Sequence, residues 1–203
     1  IFHLPFSSNL GILKSIGVFG HNASGKSNLI KAISFMRDLI LYSSREVTTS
    51  RKIPLEPFLL SEDSENKLST FEITILIDGI KYRYGFSVNT KSIESEWLFA
   101  TEKRKEENLF VRAKQNFSFE KKFKSTLKGK FELVYEMTKS NTLFLSVLAQ
   151  FNYKLCLDIS NWFSKMIIAH DTDHIDLIDF TAKLMSVGDY RKLINDVIKK
   201  ADL

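Results

Sequence analysis

Cysteine is almost missing from this chain. Cys156 is the only one among 203 residues, which excludes a disulfide framework and fits a reducing, cytoplasmic setting. No long hydrophobic run is present either. The longest uncharged apolar stretch, Thr142 to Tyr153, falls far short of the ~20 residues a membrane-spanning helix needs. The N-terminus carries no basic segment followed by an apolar one, so no signal peptide is expected. It also lacks an initiator Met, so the chain reads as a processed product or a fragment. Charge of one sign is not in large excess. Lys and Arg number 29 against 24 Asp and Glu, a net +5 that permits a nucleotide or nucleic-acid partner without demanding one. Repeats and low-complexity tracts are absent. No Ser or Cys stands in a nucleophile elbow, and His3, His21, His170 and His174 show no metal-ligand spacing with the single Cys. The cluster His170, Asp171, Asp173 and His174 reads as a solvated turn and a helix cap rather than a metal site.

What remains is an ordinary globular composition, 44% hydrophobic and 26% charged, which argues against disorder. The length suits one domain, or one and a fragment, that buries about 70% of the surface of the unfolded chain. The 17 Phe point to a packed core before a stacking platform.

Three parts follow one another along the chain. In residues 1–54, Ser15 to Phe19 is short and apolar and is expected to be a buried strand ending at Gly20. From Ser27 to Tyr42 the period changes, and Leu29, Ile33, Met36 and Ile40 recur at helical spacing. Residues 43 to 54 read as a polar loop with Arg45, Arg51 and Lys52. In residues 55–123, Phe71, Ile73, Ile75 and Ile77 alternate, Asp78-Gly79 marks a tight turn, and Ile80, Tyr82, Tyr84, Phe86 and Val88 alternate again. Further strands are expected at 93–100 and 108–112, giving an antiparallel meander with one wet face. Residues 124–203 are mainly helical, with helices near 130–138, 152–165, 174–186 and 189–201. Asp173 and Asp189 are expected N-caps and Gly188 a break. Lys165 to Ala169 reads as a short strand. The lysines at 121, 122, 124, 128 and 130 read as a solvated face.

The chemistry is carried by residues 20 to 27, Gly-His-Asn-Ala-Ser-Gly-Lys-Ser, which is G-x-x-x-x-G-K-S, the phosphate-binding P-loop. A chance match in a chain this long arises in roughly one sequence in a hundred, and here an apolar segment precedes the motif and an amphipathic helix follows it. Gly20 and Gly25 let the backbone turn tightly and approach a polyphosphate without a Cβ in the way. The N-terminus of the next helix adds unpaired N–H groups and its positive dipole end. Lys26 would place its ammonium on the β- and γ-phosphate oxygens, and the Ser27 hydroxyl would ligate Mg²⁺, a hard cation that prefers oxygen.

The longer run from Gly20 to Ile33, Gly-His-Asn-Ala-Ser-Gly-Lys-Ser-Asn-Leu-Ile-Lys-Ala-Ile, resembles the G-x-N-x-S-G-K-S-N-L-x-x-A-[IL] run of ABC-type ATPase heads of the SMC, RecF and OLD kind. Asn22 and Asn28 match that pattern, which generic P-loops do not require, and His21 stands where such heads often have Pro. Within the group the chain is similar to prokaryotic AAA-type ATP/GTPases of abortive infection and anti-phage defence. Stretches such as Tyr82-Arg-Tyr-Gly-Phe86, Glu96-Trp-Leu98 and Thr142 to Phe151 support this. The resemblance implies an α/β fold: a P-loop NTPase lobe, ABC-ATPase-like, with an antiparallel β subdomain and a helical segment that is an insertion or the start of a second lobe. It implies ATP and Mg²⁺ as cofactors. The loop of Gly20, His21, Asn22, Ala23, Ser24, Gly25, Lys26, Ser27 and Asn28 would bind nucleotide, with Ser27 on Mg²⁺. A homodimer or higher oligomer would form through nucleotide, with an effector protein as partner and no membrane. ABC-type heads also carry a Gln after a strand that reaches Mg²⁺ and the attacking water. Leu143 to Ala149 followed by Gln150 is the candidate for that element, against a polar helix residue.

Several family parts are not found. No L-S-G-G-like signature is present. An acidic residue closing a buried strand, with a carboxylate beside it to orient water, is imitated only by Ile75-Leu-Ile-Asp78, which the turn explains, and by Met166 to Asp171, whose Asp comes one residue late. The simplest account is truncation, with those elements lying beyond Leu203. Two readings stay open: the ATP-binding lobe of an ATPase that gates an effector, and a nucleotide-gated scaffold or sensor in which turnover is incidental. A small GTPase or kinase is disfavoured, since no N-K-x-D motif or lid is found. ATP against GTP, and DNA binding, are not decided.

Overall fold

Alternating apolar residues build the largest element. In the computed structural model, which describes residues 2–4, 7–13, 15–45, 48–50, 52–56, 68–102, 105–126, 131–169 and 174–200, they form a five-stranded antiparallel sheet. Its strands are β3 (Ser69–Ile77), β4 (Ile80–Val88), β5 (Ile93–Thr101), β6 (Glu106–Ala113) and β7 (Asn116–Phe119), in that spatial order. Asp78 and Gly79 both take positive φ, 50° and 80°, so a two-residue turn sets the register at Ile77 opposite Ile80. The expected meander is therefore present, with β7 in addition. Asn116–Phe119 is only four residues long, and too short to give a periodic signal. A two-stranded hairpin, β1 (Phe2–Leu4) and β2 (Ser7–Ile12), precedes it.

The helices are α1 (Lys26–Tyr42), followed by one 3₁₀ turn (Ser43–Arg45), then α2 (Lys121–Thr126), α3 (Phe131–Met137), α4 (Phe144–Gln150), α5 (Lys154–Ser164), α6 (His174–Met185) and α7 (Gly188–Lys200). The chain divides into two compact units, residues 1–166 and 167–203. The second is the helical hairpin α6–α7; Asp189 lies in the first turn of α7, and Asp173 lies outside the described residues.

In the first unit, one sheet face is the core. Tyr84, Phe86, Leu98 and Phe110 are fully buried there, with Phe144, Leu145 and Leu148 of α4 and Ile159 and Phe163 of α5. Phenylalanines carry much of this packing. The Phe144 ring sits 4.8 to 5.6 Å, centroid to centroid, from those of Phe110, Phe117 and Phe119. The other face is wet, as expected. On it the Trp97 ring lies over Gly85, so close that a Cβ at 85 would come within 2.5 Å of the indole. Its Nε1 donates to Glu72 (2.7 Å), which also accepts from Arg83 (2.8 Å).

One buried polar knot ties sheet to helices. Glu96 of β5 points into the core and accepts hydrogen bonds from the backbone N–H of Phe144 (2.7 Å) and Leu145 (3.0 Å) and from the Tyr84 hydroxyl (2.9 Å). Arg112 of β6, directly opposite Glu96, lies 3.5 Å from it. Arg112 also donates to the carbonyls of Lys114 (2.6 Å), Thr142 (2.6 Å) and Lys139 (3.0 Å). Both side chains are fully buried. Burial pushes the Glu96 carboxyl above its ordinary value, and the Arg112 guanidinium, the two helix N–H groups and the Tyr84 hydroxyl oppose that shift. Burial likewise lowers Arg112, opposed by Glu96.

Two expectations are corrected and one open choice is decided. Of the strand and helix readings of Leu143 to Ala149, the helix holds: Phe144–Gln150 is helix α4. A short apolar run fits a buried strand or a buried helix equally. Here the Glu96 carboxylate meets the two N-terminal N–H groups and settles the matter. Residues 15 to 19 are neither a strand nor buried; Ile16 is 80% and Phe19 95% exposed. A buried strand needs neighbours, and no described strand pairs with this segment. Residues 166 to 169 have no regular structure, so no strand is found there.

The knot has a measurable weight. Arg112→Lys keeps the charge but loses the planar fork that reaches three carbonyls. It is expected to cost about 3 kcal/mol, read by chemical denaturation. Tyr84→Phe removes one hydrogen bond to Glu96 and is expected to cost about 1 kcal/mol.

Candidate functional site

The loop from Gly20 to Gly25 leads directly into α1, and local geometry shapes it. The Ser24 N–H closes a turn on the His21 carbonyl at 3.2 Å. Ala23 takes φ 62° and Gly25 φ 89°, the left-handed region that glycine enters without strain. Gly25 is the N-cap residue, and its carbonyl accepts from the N–H groups of Asn28 (3.0 Å) and Leu29 (3.3 Å). At Gly20 a Cβ would stand 2.7 Å from Ser24 Oγ, so a larger residue there would turn that hydroxyl aside.

The helix behind the loop is anchored at its far end. Met36, Leu39 and Ile40 are buried, whereas Ser27, Asn28, Leu29 and Ile30 in the first turns are exposed. The first turn contains no acidic residue, so the positive end of the helix dipole is uncompensated by side-chain charge. Asn22 to Asn28 line a polar cavity of about 290 Å³ at this end. Lys26 folds back over the loop and donates from Nζ to the carbonyls of Gly20 (2.7 Å) and His21 (2.6 Å), with Ser24 Oγ at 3.5 Å. Its ammonium therefore sits beside the cavity. These carbonyl acceptors are what the motif alone did not reveal.

Such an arrangement suits a polyphosphate: a cationic side chain, a helix N-terminus and a glycine-shaped loop converge on one cavity. For a Mg²⁺ ion the exposed Ser27 hydroxyl, in the first turn of α1, would be the protein oxygen that the motif offers, and phosphate and water oxygens would complete its shell. Among the described residues, no group of three or more His, Cys, Asp or Glu is placed to hold a metal.

Gly20, His21, Asn22, Ala23, Ser24, Gly25, Lys26, Ser27 and Asn28 are thus contiguous in sequence and around this loop. Gln150 is not among them. It ends α4 and donates from Nε2 to the Ser44 carbonyl (3.2 Å), just past the C-terminus of α1. Helix α1 has 17 residues, so its ends lie about 25 Å apart. Gln150 is held at the end opposite the loop, and its assignment to Mg²⁺ and the attacking water is corrected on that ground. Asp78 occupies the β3–β4 turn, as its glycine neighbour requires. Asp171 lies outside the described residues.

The loop geometry makes Gly25 the position least tolerant of a branched side chain. Gly25→Val is expected to lower phosphate-ligand affinity at least tenfold, while Gly25→Asn, which enters the left-handed region more readily, is expected to retain more. Titration with a fluorescent nucleotide checks the order.

No curated protein and no solved structure matches the chain. A family model does match, over residues 15–199, under the description "AAA domain, putative AbiEii toxin, Type IV TA system". The match begins just before the loop and runs nearly to the end of α7. Such a domain is a P-loop NTPase, which agrees with the cradle around Lys26. The chain belongs to this family of prokaryotic AAA/ABC-like ATPases of the abortive-infection type.

Proposed function

We propose that the chain binds ATP with Mg²⁺ at residues 20–28 and forms the nucleotide-binding lobe of an ABC-like ATPase whose cycle gates a partner effector, in anti-phage defence. The observation that carries this reading is the convergence of Lys26 Nζ, the first turn of α1 and the turns at Ala23 and Gly25 on one polar cavity. Lys26 exchanges its two carbonyl acceptors for β- and γ-phosphate oxygens, trading neutral acceptors for anionic ones. The backbone N–H groups of the loop cradle the phosphates, and the helix dipole favours their charge. Ser27 offers its hydroxyl to Mg²⁺, which when bound neutralises charge that builds up on the phosphate oxygens. Homo-oligomerisation through the nucleotide belongs to the same proposal.

A second reading is favoured by one observation. Among the described residues, none that line the cavity is an Asp or a Glu. Bound ATP would then hold an assembly together, with turnover incidental. Sedimentation in ATP and in a non-hydrolysable analogue separates the two. Equal, lasting assembly in both supports the scaffold, and disassembly over time in ATP alone supports the hydrolytic cycle.

Lys26→Ala removes a charged donor from the cavity. It is expected to weaken Mg²⁺-ATP binding by about 10- to 100-fold, measured by calorimetry. Gln150→Ala, at the far end of α1, is expected to leave that affinity unchanged. Equal binding by wild type and Lys26→Ala would overturn the proposal.

A further inference from the structure

The five-stranded sheet has two unlike edges. One is β7, only four residues long and followed at once by α2, and short edges resist pairing with other chains. The other is β3, nine residues long, and among the described residues no strand lies on its outer side. The two-residue turn at Asp78-Gly79 fixes which groups it presents. Ile77 pairs with Ile80 next to the turn, so odd-numbered residues of β3 bond inward to β4. The N–H and C=O groups of Thr70, Glu72, Thr74 and Leu76 face outward.

Within the strand itself, three of the usual guards are missing. Ser69–Ile77 contains no Pro and no Lys, and its register with β4 runs without a bulge. Its one charge, Glu72, is turned onto its own sheet, where Arg83 Nη1 and Trp97 Nε1 hold its Oε2 at 2.8 and 2.7 Å.

The strand is also self-complementary. In a fully overlapped antiparallel pairing of two copies, Ile73 stands opposite Ile73, Phe71 opposite Ile75, and Thr70 opposite Leu76. Glu72 then faces Thr74, not its own copy, so no charge meets a like charge. The apolar inner row of each copy continues into the other. The outward N–H and C=O groups of Glu72 and Thr74 fall opposite each other, as a hydrogen-bonded pair requires.

We propose that a second copy of this chain is the partner of this edge: β3 pairs with β3 about a two-fold axis at Ile73 and joins the two sheets. This contact does not involve residues 20–28, so it forms without nucleotide and survives Lys26→Ala.

Sedimentation velocity of the purified chain over a range of concentrations, without nucleotide, is the test. A monomer–dimer equilibrium is expected. Thr74→Pro removes an outward donor without touching the bonds to β4 and is expected to weaken dimerisation at least tenfold, with circular dichroism unchanged. Where that variant fails to fold, cysteines decide. Opposed Ile73 residues lie within disulfide reach, about 4.5 Å between Cα atoms, whereas the two Thr70 residues are about 20 Å apart. Under diamide, Ile73→Cys is therefore expected to cross-link into dimers and Thr70→Cys to remain monomeric. A chain that is monomeric at every concentration would overturn the proposal. So would dimers indifferent to Thr74→Pro in a folded variant, or equal cross-linking at 70 and 73.

Discussion

A single carboxylate holds the first unit together. Glu96 sits on the central strand of the sheet yet points into an apolar core, where an unaccompanied charge would be costly. It is tolerated because α4 starts against it, and the first N–H groups of that helix have no partner within the helix. Each solves the other's problem. Arg112 completes the arrangement by drawing the carbonyls of Lys114, Lys139 and Thr142 around one guanidinium. The sheet, the chain entering α4 and the helix itself are thereby fixed together.

From α4 the order passes to α1. Ser146 Oγ donates to the Ile40 carbonyl at 2.6 Å and accepts from Ser43 Oγ at 3.1 Å, while Thr142 Oγ1 donates to the Ser43 carbonyl at 3.3 Å. These buried hydroxyls grip the C-terminal end of α1. The phosphate loop is at the other end. The helix thus carries the loop as a rod clamped at its far end, with Met36, Leu39 and Ile40 as the apolar part of the clamp. A loop that must receive and release a charged ligand stays solvent-facing, and its position is still set by the core.

Much of this was legible in the sequence, for a physical reason. The loop is local: glycines, a lysine and a helix start within nine residues, and its shape depends on its own dihedral angles. The strands of the meander are also local signals, because alternation and the Asp78-Gly79 turn act over a few residues. What was not legible is long-range. Whether Leu143 to Ala149 is strand or helix depends on Glu96, 48 residues upstream of Phe144. The place of Gln150 depends on the packing of α4 across the end of α1. Residues 15 to 19 have the composition of a buried strand, but composition supplies no neighbours, and the segment is exposed.

The indole lying over Gly85 has an optical consequence. The chain has two tryptophans. Trp97 is fixed on the wet face of the sheet by its bond to Glu72, and Trp162 lies in α5, edge-on to Phe163 at 5.1 Å. Neither belongs to the loop of residues 20–28. Tryptophan emission from this protein therefore arises from its body, the sheet and the α5 helix, and not from the phosphate loop itself. A tryptophan placed beside the loop would add a third emitter with its own environment, so folding and ligand capture could be followed in one cuvette by separate dyes of the protein's own making.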